Sequence, residues 1–351
     1  HKVEGYDVTS ISNPLYKEGD FTFSGNAEVK GTDAGTYNME LKASDFTNTN
    51  ANFSKVKFVI VDGTLTISKR EVTLTSATDS KVYDGTALTN DTVTVSGDGF
   101  AKNEGATYNV TGAQTNVGKS DNTFTYTLNE GTKEKNYTIS KTEGELEVTA
   151  ATDEVVVTIT EHSGTAKYDG AEHKVEGYDV TKISNSLYKA TDFTFNGSAE
   201  VKGTNAGTYN MELKASDFTN TNANFSNVKF VIVDGTLTIS KREVTLTSET
   251  ASKPYDGTPL TKPDVAVTGD GFVAGEVTDI KATGSVTYVS EGEVTNTITY
   301  TEGEKFNADN YTITKNEGKL SITETADEVV VTITEHSGTA KYDGAEHKVE
   351  G

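Results

Sequence analysis

The chain has 351 residues, of which 53 are acidic and 31 are basic, so its formal net charge at pH 7 is −22. Such an acidic surface repels the phosphates of nucleic acids and lipids, and no apolar run is long enough for membrane insertion, so we expect neither partner. Cysteine is absent, which excludes disulfides and thiolate metal sites, and the length allows roughly two to four small domains.

The first 70 residues return almost unchanged later in the chain. Residues 1–70 align without gaps to residues 173–242, and the eight differing positions are 10, 14, 18, 19, 24, 26, 33 and 55. The last 25 residues, 327–351, are identical to residues 153–177. The chain therefore contains two copies of a long unit and the beginning of a third.

A tripeptide marks a shorter period. Tyr-Asp-Gly occurs at spacings of 85, 87 and 87 residues, as Tyr83-Asp84-Gly85, Tyr168-Asp169-Gly170, Tyr255-Asp256-Gly257 and Tyr342-Asp343-Gly344. Asp-Gly favours a turn and tyrosine favours packing, so we interpret the tripeptide as a structural repeat-turn motif rather than a binding site. A domain of about 86 residues is thus used in two diverged versions, named A-type and B-type.

The predicted domains alternate along the chain. They are 1–69 (A-type, lacking its first strand), 70–152 (B-type), 153–241 (A-type), 242–326 (B-type) and 327–351 (the first strand of a further A-type domain). A domain of this size can bury a modest core of its own. We therefore expect a linear array of small separate domains.

Alternating apolar residues predict an all-β fold. In Glu154–Thr160, the side chains of Val155, Val157 and Ile159 share one face of a strand. Lys229–Val233 and Thr236–Ser240 flank an Asp-Gly pair, which predicts a β-hairpin. The pairs in the corresponding positions are Asp234-Gly235 in the A-type domain and Glu143-Gly144 and Glu317-Gly318 in the B-type domains.

Two further segments read as connections. Gly203–Gly207 predicts a tight connection between neighbouring strands, and the polar, Asn-rich stretch Ser216–Val228 predicts a loop or a single helical turn. At the domain junctions, strand-like residues follow one another without a Gly, Pro or Ser spacer, as in Leu237–Lys241 and Arg242–Thr247. Such joints resist bending, so we expect the array to form an extended rod.

The final 25 residues suggest a self-association contact. Glu328–Thr334 repeats the strand that the first A-type domain lacks. We expect Val329, Val331 and Ile333 to complete that domain in a neighbouring molecule, head to tail. The alternative is that the same contact is made by covalent continuity in a longer chain.

Two sets of motifs resemble the tandem YDG/MBG-type repeats of bacterial surface proteins. One set comprises Lys253–Leu260, Val265–Gly269, Asn310–Ile313, Gly318 and Leu320, and the other comprises Gly203–Tyr209 and Asp234–Ile239. The resemblance covers nearly the whole chain and implies the stalk of an extracellular adhesin on a bacterial cell surface. Some members are credited with binding host mucin or matrix, but no binding residue carries over. The family fold is small and β-rich, with β-grasp character in some members, and the residues leave an immunoglobulin-like sandwich open.

Three lysine–asparagine pairs are candidates for the intramolecular isopeptide bonds that stiffen some bacterial surface domains. They are Lys167 with Asn224, Lys81 with Asn136, and Lys253 with Asn310. Each bond would lower the intact mass by one ammonia. The bond requires neighbouring strands, which the sequence alone leaves undecided.

No motif indicates catalysis, a cofactor or a metal. The histidines are His1, His162, His173, His336 and His347. His162 and His173 flank a predicted turn, where a weak two-histidine metal site competes with ordinary exposed strand histidines, and a real site needs more converging ligands. Carboxylates are plentiful, but none lies in a recognisable apolar pocket, so we expect no enzyme activity, no cofactor and no metal.

Two classes of function fit these features. The first is a stalk that projects a distal domain from the cell, because near-identical repeats can vary in number while each joint stays the same. The alternative is that the repeats themselves bind a host glycan or protein by avidity. Binding of glycan or mucin by a single A–B pair would distinguish the two. A filament or surface-layer subunit is a third possibility.

Overall fold

The computed structural model describes residues 1–351, and short β-strands provide nearly all of its regular structure. The helical segments are six 3-10 turns of three residues each. No helix has the length and apolar character needed to cross a membrane. The predicted all-β fold is confirmed.

Each sheet closes within one of the four predicted domains that precede residue 327. In residues 1–69 the strands are β1 (Lys2–Glu4), β2 (Phe21–Phe23), β3 (Glu28–Lys30), β4 (Gly35–Asn38), β5 (Phe46–Asn48) and β6 (Thr64–Ile67). In residues 70–152 they are β7 (Arg70–Ser76), β8 (Asp79–Val82), β9 (Val93–Gly97), β10 (Ala106–Val110), β11 (Gly118–Asp121), β12 (Phe124–Leu128), β13 (Tyr137–Thr142) and β14 (Glu145–Thr149).

The second A-type and B-type domains follow the same order with more strands. In residues 153–241 they are β15 (Val155–Glu161), β16 (Gly164–Lys167), β17 (His173–Glu176), β18 (Tyr178–Ile183), β19 (Phe193–Phe195), β20 (Glu200–Gly203), β21 (Gly207–Asn210), β22 (Phe218–Asn220), β23 (Val228–Val233) and β24 (Thr236–Ser240). In residues 242–326 they are β25 (Arg242–Ser248), β26 (Ala251–Pro254), β27 (Leu260–Thr261), β28 (Val265–Gly269), β29 (Val277–Ala282), β30 (Ser285–Val286), β31 (Val294–Asn296), β32 (Ile298–Glu302), β33 (Tyr311–Asn316) and β34 (Gly318–Thr323).

The 3-10 turns lie at strand entrances. They are η1 (Glu18–Asp20), η2 (Ala43–Asp45), η3 (Glu134–Asn136), η4 (Ala215–Asp217), η5 (Val289–Glu291) and η6 (Ala308–Asn310).

The chain packs as two compact units, one of residues 1–157, 182–195 and 218–230, the other of residues 158–181, 196–217 and 231–351. The first unit contains the first A-type and B-type domains, and the second contains the second B-type domain.

The first B-type domain is built on two segments that run in parallel, β7 followed by β8 and β13 followed by β14. We call these two segments the arms. Strand β7 pairs in parallel with β13 and antiparallel with β9, while β14 pairs in parallel with β8 and antiparallel with β11. Since β8 follows β7 and β14 follows β13, both arms pass together from one sheet to the next. Leu74 and Phe124 are fully buried in one hydrophobic cluster of the domain, and Leu146 is fully buried in a second cluster.

The second B-type domain repeats this topology. Strand β25 lies between β28 and β33, and β34 lies between β26 and β31, with the same parallel and antiparallel pairs. Immunoglobulin-like sandwiches are built from antiparallel sheets. The parallel arms therefore distinguish these domains from a purely antiparallel sandwich.

The predicted hairpin at Asp234-Gly235 is wrong. Strand β24 pairs with β16 and β21, while β23 belongs to another sheet, in the order β18-β15-β23. The glycine is needed because two chain segments cross closely there. A Cβ atom on Gly235 would lie 2.2 Å from the carbonyl oxygen of His162.

Both B-type domains have the same crossing. A Cβ on Gly144 would lie 2.4 Å from the carbonyl oxygen of Ala77, and one on Gly318 would lie 2.2 Å from that of Glu249. The strands on either side of each glycine belong to different sheets. The predictions of a hairpin at Glu143-Gly144 and Glu317-Gly318 are therefore also wrong, although each pair does mark a change of direction.

The crossing is stabilised by a buried side chain of the opposite arm. In the A-type domain, the carboxylate of Glu161 is buried and accepts hydrogen bonds from the backbone N–H groups of Leu213 and Gly235, both at 2.7 Å. In the B-type domains the hydroxyls of Ser76 and Ser248 accept from the N–H groups of the crossing glycines, at 2.9 Å. Each orphan amide at the crossing is thereby satisfied.

Replacing Gly235 with alanine tests the steric reason for the glycine. We expect Gly235→Ala to lower the stability of its domain by about 2 kcal/mol, because the added methyl group collides with backbone that has no room to move. Gly63→Ala is the matched control, since Gly63 holds the same position in the first A-type domain and has open space around its Cβ position. Equal losses of stability in urea unfolding would contradict the crossing explanation.

The Asn-rich stretch from Ser216 contains more structure than a loop. After the 3-10 turn η4, strand β22 pairs antiparallel with β19 and buries Phe218. Phe218 stacks on Phe230, with ring centroids 5.4 Å apart. The predicted helical turn is present, but the strand was missed because its single buried ring gives no alternating pattern.

The first A-type domain has no counterpart of β15. Residues 56–61, which repeat the β23 sequence, do not form a strand, and Val59 and Val61 are 74% and 89% exposed. The corresponding Val231 and Val233 are 36% and 47% exposed. An alternating sequence alone therefore does not make residues 56–61 a strand, because the corresponding strand β23 pairs with β15, which the first A-type domain lacks.

Residues 324–351 form no strand in this single chain. Val329, Val331 and Ile333 are 79%, 74% and 84% exposed. Their donation to a second molecule stays a prediction, which deletion of residues 327–351 tests through the oligomeric state.

Candidate functional site: the joints between domains

The Tyr-Asp-Gly motif forms the same turn at each of its four positions. The aspartate Oδ1 accepts a hydrogen bond from the backbone N–H two residues later, at 2.9 Å or 3.0 Å. The glycine follows with φ near +80°, a value that favours glycine. The tyrosines differ: Tyr168 is buried and Tyr83 partly buried, whereas Tyr255 and Tyr342 are exposed.

Three domain junctions share one hydrogen-bonded contact. In each, an asparagine of the following domain closes on a loop of the preceding one. Its Oδ1 accepts from a loop N–H in the pairs Asn136 with Ala34 (2.8 Å), Asn224 with Val117 (2.7 Å) and Asn310 with Ala206 (2.7 Å). Its Nδ2 donates to the loop residue before, in the pairs Asn136 with Asp33 (3.0 Å), Asn224 with Asn116 (3.1 Å) and Asn310 with Asn205 (3.0 Å). We call these contacts the first, second and third joint.

The Tyr-Asp-Gly tyrosine adds an aromatic contact to two of the joints. In the second joint the rings of Tyr83 and Phe225 meet edge to face, with centroids 5.4 Å apart. In the third joint Tyr168 and Tyr311 do the same at 5.6 Å. Phe225 and Tyr311 each directly follow the joint asparagine in sequence, so one dipeptide supplies both the polar and the aromatic contact.

A buried carboxylate connects the two tyrosines of the third joint. Tyr168 donates its hydroxyl hydrogen to Glu276 Oε1 at 2.5 Å, and Tyr311 donates to Oε2 at 2.6 Å. Glu276 and both rings are buried. Burial, and next the Glu276 carboxylate, raise the pKa of Tyr168 to about 12, and the same two causes raise the pKa of Tyr311. The cluster links the two domains through one shared side chain.

Charged groups surround this cluster. Lys167 Nζ lies 2.7 Å from Asp270 Oδ1, and this lysine holds the pKa of the aspartate below its usual value. Arg242, the first residue of the B-type domain, donates from Nη1 to the Tyr168 carbonyl oxygen at 3.3 Å and from Nε to that of Gly271 at 2.8 Å. The arginine therefore contacts both sides of the junction.

The loop residue that accepts the asparagine Nδ2 bond is charged in the first joint and neutral in the third. Asp33 lies 3.0 Å from Lys133 Nζ and 2.8 Å from Lys135 Nζ. The hydrogen bonds from Lys135, Asn136 and Lys133 lower the pKa of Asp33 well below its usual range. In the third joint, the residue corresponding to Asp33 is Asn205.

Each candidate isopeptide asparagine is a joint residue. The side chains of Asn136, Asn224 and Asn310 bond to the preceding domain, as described above. Lys81 Nζ instead bonds to Asp84 and Thr86 at 2.8 Å, and Lys253 Nζ bonds to Asp256 at 2.9 Å. The observed partners are thus different from those that the isopeptide hypothesis requires.

The histidines named from the sequence have local partners. His162 Nδ1 lies 2.8 Å from the Glu176 carbonyl oxygen, and its Nε2 lies 3.3 Å from Asp179. His173 Nε2 lies 2.9 Å from Asp169 of the Tyr-Asp-Gly turn. The structure contains no group of three or more metal-ligating side chains that could hold an ion.

Sequence reasoning picked out half of each joint. An Asn-aromatic dipeptide recurs near the end of each domain, as Asn136-Tyr137, Asn224-Phe225 and Asn310-Tyr311, and the predicted connection Gly203–Gly207 contains the receiving loop of the third joint, but neither pattern indicated a contact between domains. A signal for the receiving loops exists: the loops read Asp33-Ala34-Gly35, Asn116-Val117-Gly118 and Asn205-Ala206-Gly207, a pattern that recurs once in each of three domains.

High pH should weaken the third joint. A tyrosine with a raised pKa keeps its proton in the folded state while the unfolded state loses it, so stability is full below pH 10 and falls as the pH rises towards 12. Tyr168→Phe should remove part of this alkaline loss. The check is the Ala206 amide exchange rate, normalised for pH, in wild type and variant; identical profiles would contradict the assignment.

Together, the fold and these contacts define a tandem array of small β-domains linked by one repeated interface. The family model of the MBG domain matches residues 4–69 and 155–241, which are the two A-type domains. The resemblance to tandem YDG/MBG-type repeats is thereby confirmed. No curated protein matches the sequence significantly.

Proposed function

We propose that this chain is a stiff, non-enzymatic spacer in the stalk of an extracellular bacterial surface protein. The observation that carries the proposal is the recurrence of one asparagine-capped joint at three successive junctions. A binding module needs a ligand surface on each domain, whereas a spacer needs each domain to hold its neighbour. The most specific contacts of this chain serve the second purpose.

The linkers support stiffness as well. One residue separates β24 from β25, and two separate β6 from β7. The longer linker before β15 is held by hydrogen bonds, because Ala151 N–H donates to the Asn224 carbonyl oxygen at 2.9 Å and Ser226 N–H donates to that of Ala151 at 3.0 Å. Few backbone torsions are thus free to bend at a joint.

The match to MBG domains and the resemblance to surface-protein repeats support a location on the cell surface. The acidic net charge of −22 suits a projecting, soluble stalk that does not adhere to its own anionic membrane. A ligand-binding domain would then lie elsewhere in the parent protein.

Spin labels on consecutive domains test the stiffness. The chain has no cysteine, so Lys57→Cys and Lys102→Cys place one label on each of the first two domains without background. We expect a narrow distance distribution in pulsed electron resonance, broadened by Asn136→Ala. Asn52→Ala is the matched control, because Asn52 holds the same motif position in the first A-type domain and lies outside the first joint. A broad distribution in the unmutated pair would overturn the spacer proposal.

A further inference from the structure

Two joints of the same A-to-B type differ in charge on both sides at once. The first A-type domain presents Asp33 where the second presents Asn205. The first B-type domain answers with Lys133 and Lys135, and the corresponding residues of the second are Asn307 and Asp309. The acidic loop therefore faces two cations, while the neutral loop faces a turn with an amide and an acid.

The asparagine hydrogen bonds are the same in both joints. The bond from the loop N–H to the asparagine Oδ1 measures 2.8 Å in the first joint and 2.7 Å in the third, and the Nδ2 bond measures 3.0 Å in both. Position 33 is one of only eight that differ between the repeated 70-residue segments. The asparagine bonds thus occur in both A–B pairs, whereas the charges at the loop, like the Tyr168 contacts of the third joint, differ between the pairs.

We infer that Asp33, Lys133 and Lys135 form a recognition surface that selects which B-type domain follows the first A-type domain. In the exchanged pairing, Asp33 would face the position of Asp309, which is a like charge, and Lys133 and Lys135 would face the neutral Asn205. Specificity of this kind arises from repulsion in the wrong pair as much as from attraction in the right one.

Such selection has a physical purpose in this chain. Near-identical neighbouring domains are prone to exchange partners during folding, which is a characteristic failure of repeat proteins. Charge matching at the joint favours the domain that is next in sequence over an equivalent domain of the same or another molecule. The Asp33 side chain is 19% exposed and lies between two largely exposed lysines, so its charge is sensitive to the partner it meets while remaining within reach of solvent ions.

Hydrogen exchange at the Ala34 amide tests the inference in the full chain, because that amide is protected by the joint asparagine. We expect Lys133→Asn with Lys135→Asp to speed its exchange about threefold to tenfold, the size typical of lost exposed ion pairs. Adding Asp33→Asn should restore the wild-type rate. The Ala206 amide of the third joint is the internal control and should not change in any of these variants.

The reciprocal change and a salt series complete the experiment. Asn205→Asp should speed Ala206 exchange, because the new carboxylate meets the turn that carries Asp309. In the unmutated chain, raising NaCl from about 0.02 M to about 1 M should speed exchange at Ala34 more than at Ala206, since salt screens the Asp33 ion pairs and the third joint keeps only the Lys167–Asp270 pair across the junction. The inference is overturned if the lysine variants leave Ala34 unchanged, if Asp33→Asn fails to rescue, or if salt affects both amides alike.

Discussion

Replacing Glu276 with alanine should lower the stability of the second B-type domain by about 3 kcal/mol, because two buried tyrosine hydroxyls lose their acceptor at once. Glu276 is 4% exposed and bonds to both Tyr168 and Tyr311. The loss should extend across the joint, since Tyr168 belongs to the preceding domain. Native-state hydrogen exchange of β25 and β33 measures the local free energy of opening.

Glu104→Ala is the matched control. Glu104 holds the same position in the first B-type domain and bonds to one hydroxyl, that of Tyr137, at 2.6 Å. We expect a loss of about 1.5 kcal/mol there, as for a single hydrogen bond to a charged group. Equal losses for the two glutamates would show that the second tyrosine adds nothing, and would remove the shared carboxylate from the account of the third joint.

Phe225→Ala should have the largest effect of any joint substitution, a loss of about 4 kcal/mol, because a fully packed ring leaves a cavity that the backbone cannot close. Phe225 is 2% exposed, and its ring centroid lies 5.4 Å from that of Tyr83 and 5.3 Å from that of Tyr188. The variant should also speed exchange of the Val117 amide, which bonds to Asn224 in the same joint.

The first A-type domain again offers the control. Phe53 repeats Phe225 and packs on Tyr16 at 5.3 Å, but no Tyr-Asp-Gly tyrosine of a preceding domain reaches it. We expect Phe53→Ala to cost about 2 kcal/mol, since its ring is already partly exposed. A double-mutant cycle of Tyr83 and Phe225 isolates the joint contribution, which we expect near 1 kcal/mol for an edge-to-face pair. A coupling near zero would contradict the aromatic part of the joint.

The strands, the Asp-Gly turns and the repeats of this protein could be predicted from its sequence, because each depends on neighbouring residues or on the sequence itself. Alternating valine, isoleucine and threonine predict strands wherever they occur, because period-two patterning depends only on neighbouring side chains. The turns at Asp84-Gly85 and its equivalents follow from an aspartate that bonds to its own backbone and a glycine that accepts positive φ. The repeats themselves are a property of the sequence alone.

The pairing of the strands was decided only by the tertiary structure. Asp234-Gly235 has the residues of a hairpin turn, yet its flanking strands lie in different sheets. The glycine is required instead because the carbonyl oxygen of His162, 73 residues earlier in the sequence, approaches it too closely for a side chain. A turn motif specifies backbone torsions, but the partner of a strand depends on long-range contacts that no local pattern records.

The joints, too, were determined partly by the sequence and partly by the tertiary structure. The sequence alone determined that an Asn-aromatic dipeptide and a Tyr-Asp-Gly motif recur in each domain, which marks them as architectural. Only the folded chain shows that Asn310 and Tyr168 belong to one interface, and that Glu276 is the acid buried between them. Among 53 acidic residues, burial is set by what packs around a side chain, and that depends on two domains meeting.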